Sequence, residues 1–440
     1  MSGRETWATR IGFIFAAVGS AVGLGNIWRF PYVTAENGGA AFLVVYLVAV
    51  LLVGFPAMLA EFSIGRHGQR NIVDVFERVG FPAWRFIGFL GLLTGFWILS
   101  YYSVIGGWVL RYVLGSATGA YFGDPSAYFG AVSVGVPSVA FHLVFMALTV
   151  AIVAFGVEQG IEWSTKVMVP SIVVLMVALA AWAATLPGSG GGYGFYLTPN
   201  VDAIVGNLGT VLPAAVGQAL FSLSLGMGVM VTYSSYIASE DNLGVDGISI
   251  VGLNTLVGVL AGFVVFPLLA AQGVPFGDPG PGAIFVSMAT AFQELGTAGR
   301  VLGVVFFLVV ALAALSSAIS LLEVVVSYFV DNSAFSRPRI TVAIGAGTFL
   351  LGLPSAWQTS TLGLFDQIAS NVLLPLGVFF AVIFVGWIYA DDAVAELRRG
   401  TRGGGGIVPA WLWVLRVVVF LGISMTLVLS VASLVGISLV

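Results

Sequence analysis

Long apolar stretches separated by short polar runs recur from one end of the chain to the other. The apolar letters run on without alternating, which predicts helices rather than strands, and most stretches reach the ~20 residues that cross a bilayer. Eleven spans are predicted, at about 11–35, 40–65, 86–113, 139–156, 163–186, 208–238, 248–272, 298–330, 340–354, 362–390 and 410–438. The fourth and ninth are short, and the eighth is long enough to tilt or to project into water. Two spans break their own pattern. "VGSAVGLGNIWRFP" at 18–31 crowds Gly19, Gly23 and Gly25 together and follows them with Asn26 and Arg29. "GQALFSLSLGMG" at 217–228 sets polar Gln218, Ser222 and Ser224 before Gly226 and Gly228.

Arginines set the expected orientation. Arg4 and Arg10 precede span one; Arg66, Arg70, Arg78 and Arg85 lie between spans two and three; Arg337 and Arg339 follow span eight; Arg398, Arg399 and Arg402 follow span ten. The alternate loops, 114–138, 187–207, 273–297 and 355–361, are almost free of basic residues. By the positive-inside rule the basic segments are cytoplasmic, which places the N-terminus inside and the C-terminus outside a cell membrane crossed many times. "GSGGGYG" at 188–194 and "GVPFGDPGPG" at 273–282 read as external loops of turn-forming letters, and "GTRGGGG" at 400–406 as a flexible internal linker.

Composition sharpens this. Of 440 residues, 59% are hydrophobic and 8% charged, with mean hydropathy +1.05, which excludes a soluble globular domain. The bilayer is therefore a partner, and nothing points to nucleic acid; no feature specifies an oligomeric state. With no cysteine, disulfides, thiolate metal sites and cysteine nucleophiles are excluded. Of two histidines, His142 reads as a packed or hydrogen-bonded helix residue and His67 lies beside a basic loop. The N-terminal stretch lacks a small-residue cleavage site and reads as a retained first span. There is no phosphate-binding "GxxxxGK[ST]" motif, and no intramembrane His–Asp, Ser–Lys or His–Glu cluster of the kind an enzyme would need.

The two glycine-rich breaks fall in spans one and six, each opening a set of five, with span eleven left over. Five is odd, so a duplicated set is inverted. This divides one transporter domain into a repeat at about 7–186, a second at about 208–390, and an extra span at 410–438. Paired, glycine-interrupted segments point to a binding site between repeats, where unwound backbone offers carbonyls to cations and N–H groups to anions. The alternative is that the glycines serve only close helix packing, as the spacing of Gly19 and Gly23 permits. Packing by itself leaves the neighbouring Asn26, Gln218, Ser222, Ser224 and Asn254 unexplained.

"WATRIGFIFAAVGSAVGLGNIWRFPY…ENGGAAF" (7–42), "GQALFSLSLGMG" and "ALSSAISLLE" (314–323) together resemble the neurotransmitter:sodium symporter family, in its prokaryotic amino-acid branch. The resemblance implies an all-α polytopic membrane protein with a LeuT-like 5+5 inverted repeat and discontinuous helices one and six. It implies two Na+ sites. The first takes the carbonyl of Ala21, side-chain oxygens of Asn26, Ser222 and Asn254, and the substrate carboxylate. The second takes carbonyls of Gly19, Val22 and Ala313 with the hydroxyls of Ser316 and Ser317. Oxygen-only ligands suit a hard cation. Ser316 and Ser317, read without the resemblance, would simply bond back to helix carbonyls.

The implied substrate pocket comprises Ala21, Leu24, Gly25, Ile98, Tyr102, Phe221, Ser222, Ser224, Met227, Ser317 and Leu321. Gly23 stands where amine-carrying relatives have aspartate, so the substrate should bring its own carboxylate. The remaining lining is apolar, and Met227 is adaptable, which favours a large hydrophobic L-amino acid. Gates follow by similarity. Arg29 and Asp366, with Gln218 nearby and Tyr102 and Phe285 beneath, would close the outside; Arg4 and Asp331, beside Trp7, Tyr236 and Ser235, the inside. Gly160 and Pro170 bracket a segment of span five that could unwind toward the second sodium site, or Pro170 could be an ordinary kink. Tyr46, Gln218, Ser222 and Asn254 resemble a chloride-binding set, although Gly258 lacks the usual hydroxyl. Glu323 offers a second source of the same negative charge. The implied function is sodium-coupled uptake by alternating access, with Cl- stimulation left as an open reading. A channel or sensor on the same scaffold, and a symporter for another small carboxylated substrate, are the alternatives.

Overall fold

A computed structural model describes residues 7–200, 206–237, 241–276, 282–399 and 408–434. Among them, nine helices are long and apolar enough to cross a membrane, and a tenth crossing is a bent pair, Arg10–Ala21 and Gly25–Glu36, turned by 44°. In sixth place stand two shorter helices, Leu208–Ser222 and Val229–Ser234. Between them Ser224, Gly226 and Gly228 adopt left-handed φ values of 55°, 79° and 79°. A serine in that region is uncommon and costs about 1 kcal/mol or more, so the break is held by its surroundings.

The two 37-residue spans, Pro82–Thr118 and Gly296–Asn332, lie against each other, with Gly135–Ala154 and Arg337–Trp357 alongside. The bent first span packs on Gly296–Asn332 and on the fifth span, Val157–Ala184; the halves of the sixth pack on the second, Ala40–Gly68. Both broken helices therefore sit at the centre. The last span, Val408–Ala432, is peripheral: 22% of its apolar stretch is buried, against 72% in Pro82–Thr118.

The fourth and ninth spans are full length, 20 and 21 residues, because each helix extends several residues beyond the most apolar run. The fifth runs unbroken through Pro170 and instead opens with a wide π-helical turn, Val157–Glu162, so Gly160 and Pro170 do not bracket an unwound stretch. His142 is buried and its Nε2 meets Ser103 Oγ at 2.9 Å, tying spans three and four. The proposed linker at 400–406 lies outside the described residues, as do 277–281 of the second external loop.

The external segment 188–194 differs from a turn. Residues Gly190–Leu197 form a helix docked on span seven, Leu243–Ala271. A Cβ at Gly192 would run into the backbone of Phe266 and Pro267, so the small letters permit contact rather than flexibility. Tyr196 is fully buried there, donates its hydroxyl to Val259 O at 3.2 Å, and has its pKa pushed up by burial. Two more short helices, Pro125–Val132 and Ala283–Glu294, occupy segments that read as loops. Tyr196→Ala should release the docked helix, with a packing loss of about 3 kcal/mol. Hydrogen exchange of 190–197 in purified protein should accelerate while the spans stay protected.

Candidate functional site

Span one loses its helix after Ala21. Val22 takes an extended conformation (φ −81°, ψ 98°), and a π-helical turn over Gly25–Arg29 restarts the helix. The carbonyls freed in that stretch meet hydroxyls of span eight. Ser316 Oγ lies 3.4 Å from Val22 O and 3.0 Å from Ala313 O; Ser317 Oγ lies 3.4 Å from Gly19 O and 2.8 Å from Ser20 O. Every group expected in the second sodium set is thus in one cluster, with Ser20 added. Neutral oxygens and no carboxylate make a donor set that fits a monovalent cation.

Ala21, Asn26 and Asn254 of the first set also converge, but Ser222 joins them through its backbone carbonyl rather than its hydroxyl, which faces Tyr46. Asn254 Oδ1 sits 3.0 Å from Ala21 O, 3.1 Å from Ser222 O and 3.3 Å from Asn26 Oδ1, while Asn26 Nδ2 donates to it at 2.9 Å. Oxygens facing one another without protons between them repel. Two arrangements relieve this: the Asn254 amide turned over so that its nitrogen donates to the same oxygens, or a cation among them.

The second break is tied to the first. Ser224 Oγ donates to Ser20 O at 3.0 Å, and Ser20 Oγ donates to Ser224 Oγ at 3.2 Å. Glu61, buried in span two, accepts the Gly226 N–H at 2.8 Å. Neither Ser20 nor Glu61 was among the expected site residues. The signal for Glu61 was legible, since a lone acid in an apolar span marks a structural or functional partner.

Between the breaks lies a cavity of about 20 Å³, lined by Ser20, Ala21, Gly23, Gly25, Ile98, Tyr102, Phe221, Ser224, Met227, Ser317 and Leu321. Leu24 and Ser222 do not line it: Leu24 gives its backbone N–H to Tyr102 Oη at 3.0 Å, and Ser222 Oγ faces Tyr46 Oη at 3.2 Å. Gly23 is the central vacancy in the lining; a Cβ there would collide with Ser317 Oγ and lie 2.6 Å from Tyr102 Oη.

Larger openings of about 480 Å³ lie on both sides, one at Arg29, Glu36 and Asp366, the other at Ala8, Glu162 and Lys166. The outer one is shut off by Arg29, which donates to Gln218 Oε1 at 2.6 Å and stands 3.8 Å from Asp366 Oδ2. Gln218 Nε2 in turn holds Gly25 O at 2.6 Å, and Tyr101 donates to Asp366 at 3.0 Å. Gln218 is thereby directed at the gate and away from Tyr46, Ser222 and Asn254.

Two expected positions are corrected. Phe285 does not close over the cavity; it is packed among Trp108, Tyr112, Phe129 and Phe307, because its helix, Ala283–Glu294, lies outside the core of the break. The ring beneath Arg29 is Phe221, 5.4 Å from the guanidinium carbon. Its spacing of three from Gln218 puts both on one helix face, a signal present in the sequence. Glu323 does not supply charge to the Asn254 cluster. Its carboxylate accepts from Tyr236 at 3.0 Å and pairs with Arg337, toward the C-terminal end of span eight, Gly296–Asn332.

On that inner side Trp7 donates to Tyr233 O at 3.0 Å and meets Tyr236 edge-on at 5.8 Å. Ser235 Oγ is turned back to Thr232 O at 2.6 Å. Arg4 lies outside the described residues, and Asp331 accepts from Asn71 at 2.9 Å. Glu162 holds the entry to span one through Ala8 N and Thr9 Oγ at 2.8 and 2.9 Å. The cavity is closed from both sides.

A model of the sodium:neurotransmitter symporter family matches residues 4–122 and 130–438. The chain is 36% identical over 439 residues to an uncharacterized sodium-dependent transporter, YhdH, of Bacillus subtilis, covering 95% of each. It is 29% identical over 444 residues to the sodium-dependent dopamine transporter of Bos taurus, covering 88% of this chain and 63% of that one. The crystal structure of MhsT in complex with L-phenylalanine superposes with a TM-score of 0.89 at 40% identity, covering 97% of this chain and 100% of that one.

The two aromatic positions are separable by substitution. Phe221→Ala should raise the apparent KM for substrate about tenfold or more, the equivalent of 1.5–3 kcal/mol of lost apolar burial. Phe285→Ala should lower thermal stability and leave apparent KM within about twofold. Uptake kinetics in proteoliposomes distinguish them.

Proposed function

The chain belongs to the sodium:neurotransmitter symporter family and is a sodium-dependent membrane transporter rather than an enzyme, and from that premise we propose that it imports a large hydrophobic L-amino acid with two sodium ions. The single observation that carries the substrate class is Gly23. An aspartate there would fill the space between Ser317 and Tyr102 and repel a carboxylate; glycine leaves that space to a carboxylate carried by the substrate. Tyr102 Oη and the N–H groups at the restart of span one then bind it. The same carboxylate completes the oxygen set of Ala21, Asn26, Ser222 and Asn254, which makes cation and substrate binding mutually dependent. The second ion sits among Gly19, Val22, Ala313, Ser316 and Ser317.

The apolar remainder of the lining, Ile98, Phe221, Met227 and Leu321, selects an apolar side chain. A cavity of about 20 Å³ is the size of one water, so a large side chain enters by moving Met227 and Leu321. The relative's complex with L-phenylalanine supports a bulky side chain. The Arg29–Asp366–Gln218 closure and the Trp7–Tyr233–Tyr236 closure open in turn. The chain is built of the repeats 7–186 and 208–390 and an extra span, with the N-terminus cytoplasmic, the C-terminus outside and the cell membrane as the location. Each charge moving inward through 100 mV gains about 2.3 kcal/mol, which drives accumulation.

Chloride stimulation belongs to the same proposal, and the engagement of Glu323 with Arg337 favours it. Among the described residues no carboxylate hydrogen-bonds to Tyr46, Ser222, Asn254 or Asn26. An anion beside Tyr46 and Ser222 would offset one of the two sodium charges.

Uptake by proteoliposomes tests the reading. Competition among the twenty L-amino acids should favour large apolar ones, only with sodium present, while the corresponding amines lacking a carboxylate should not compete. Asn26→Ala and Ser317→Ala should each lower apparent sodium affinity about tenfold, near the 1.5 kcal/mol of one charge-assisted contact. Sodium dependence unchanged in both would reject the assigned oxygens. Replacing chloride by gluconate should slow uptake; an unchanged rate removes the chloride stimulation and leaves the rest standing.

A further inference from the structure

The peripheral last span, Val408–Ala432, carries an arginine at its ninth residue, Arg416. Its Nε donates to Gly386 O near the end of span ten, at 2.6 Å. Both helices are π-helical where they cross, over Phe384–Ile388 and Leu415–Val419. A π turn shifts carbonyls out of the ordinary i+4 ladder, which leaves Gly386 O available to a side chain. Among the described residues this is the one hydrogen bond Arg416 makes, and it pairs with no carboxylate; Asp391 and Asp392 on the following helix are not within ion-pair distance. Four of the five guanidinium N–H groups are left over.

The surroundings place these groups at the membrane boundary. Trp387 adjoins Gly386, and Trp413 lies three residues before Arg416 on the same helix face; they are 47% and 60% exposed. Exposed tryptophans of this kind sit at headgroup level. A guanidinium left in hydrocarbon costs several kcal/mol, and the phosphate plane is the nearest acceptor for it. The Nε bond to Gly386 fixes the plane of the fork, so its outer edge presents parallel N–H groups matched to phosphate oxygens.

We propose that Arg416, oriented by Gly386, is a binding site for the phosphate of an anionic phospholipid, in the groove between spans ten and eleven on the side where segment 389–407 joins them. Lipid headgroup phosphate and free inorganic phosphate share this chemistry, but only the lipid also covers the apolar faces of the two spans beside Trp387 and Trp413.

Native mass spectrometry of the full chain, released from detergent with phosphatidylglycerol, phosphatidylcholine or inorganic phosphate, tests the site. The unmodified protein should retain phosphatidylglycerol over phosphatidylcholine by about fivefold, the equivalent of the ~1 kcal/mol that one basic residue gains at an anionic surface. Arg416→Gln should lose that preference, and Arg416→Lys should keep part of it, while both still take up substrate. Equal retention of the two lipids by the unmodified protein overturns the proposal, whether or not the variants fold. So does an undiminished preference in Arg416→Gln, or inorganic phosphate that displaces phosphatidylglycerol at equal concentration.

Discussion

A backbone that leaves its helix inside a bilayer has no water to satisfy it, so every released N–H and C=O needs a protein partner or a bound ion. The central architecture answers that constraint twice, at residues 22–24 and 223–228. Span eight offers Ser316 and Ser317 to the carbonyls of Gly19, Ser20, Val22 and Ala313. Span two offers the Glu61 carboxylate to Gly226 N–H. Ser20 and Ser224 bind the two breaks to each other. Ser316, Ser317 and Glu61 come from packed, continuous helices, which is why the long spans surround the broken ones.

The same constraint links binding to movement. Carbonyl oxygens at a break carry partial negative charge without a full carboxylate, which suits a monovalent ion that has to leave again. The oxygens around Asn254 and the lining of the cavity share Ala21, so a change in one set is felt in the other. Span one also carries Arg29, one turn beyond its break. A membrane-embedded guanidinium needs partners, and Gln218, Asp366 and the face of Phe221 supply them from spans six and ten. The closure at Arg29 is thus a charged contact between spans one, six and ten. The inner one is mainly aromatic, Trp7 against Tyr233 and Tyr236, with the Glu323–Arg337 pair behind it. A polar closure hydrates readily when it opens, whereas an aromatic one excludes water while it is shut.

Several features are legible in the sequence. The helical class follows from apolar run length, because only a helix satisfies its own backbone in lipid. Both helix breaks were visible as glycines beside amides and hydroxyls, since no continuous span has reason to carry them together. The grouping of Gly19, Val22, Ala313, Ser316 and Ser317, by contrast, rested on family resemblance, as spacing alone could not join residues almost three hundred apart. The docked helix at 190–197 was hidden because glycine is ambiguous: it permits a turn or a close approach, and only the neighbouring backbone of Phe266 shows which.

Rotation and partner choice account for the remaining differences. Phe221 shares a helix face with Gln218 by spacing, but only the packing shows that it lies beneath Arg29 while Phe285 turns into the cluster of Trp108, Tyr112 and Phe307. Glu323 is separated from Arg337 by a helix end, so their pairing depends on how spans eight and nine fold back. The sequence by itself determined which residues are too polar or too flexible for a plain membrane helix, because hydrocarbon penalises them wherever they sit. The tertiary structure decided which of them meet, because a hydrogen bond or an ion pair depends on distances of a few ångströms that only the packing of helices sets.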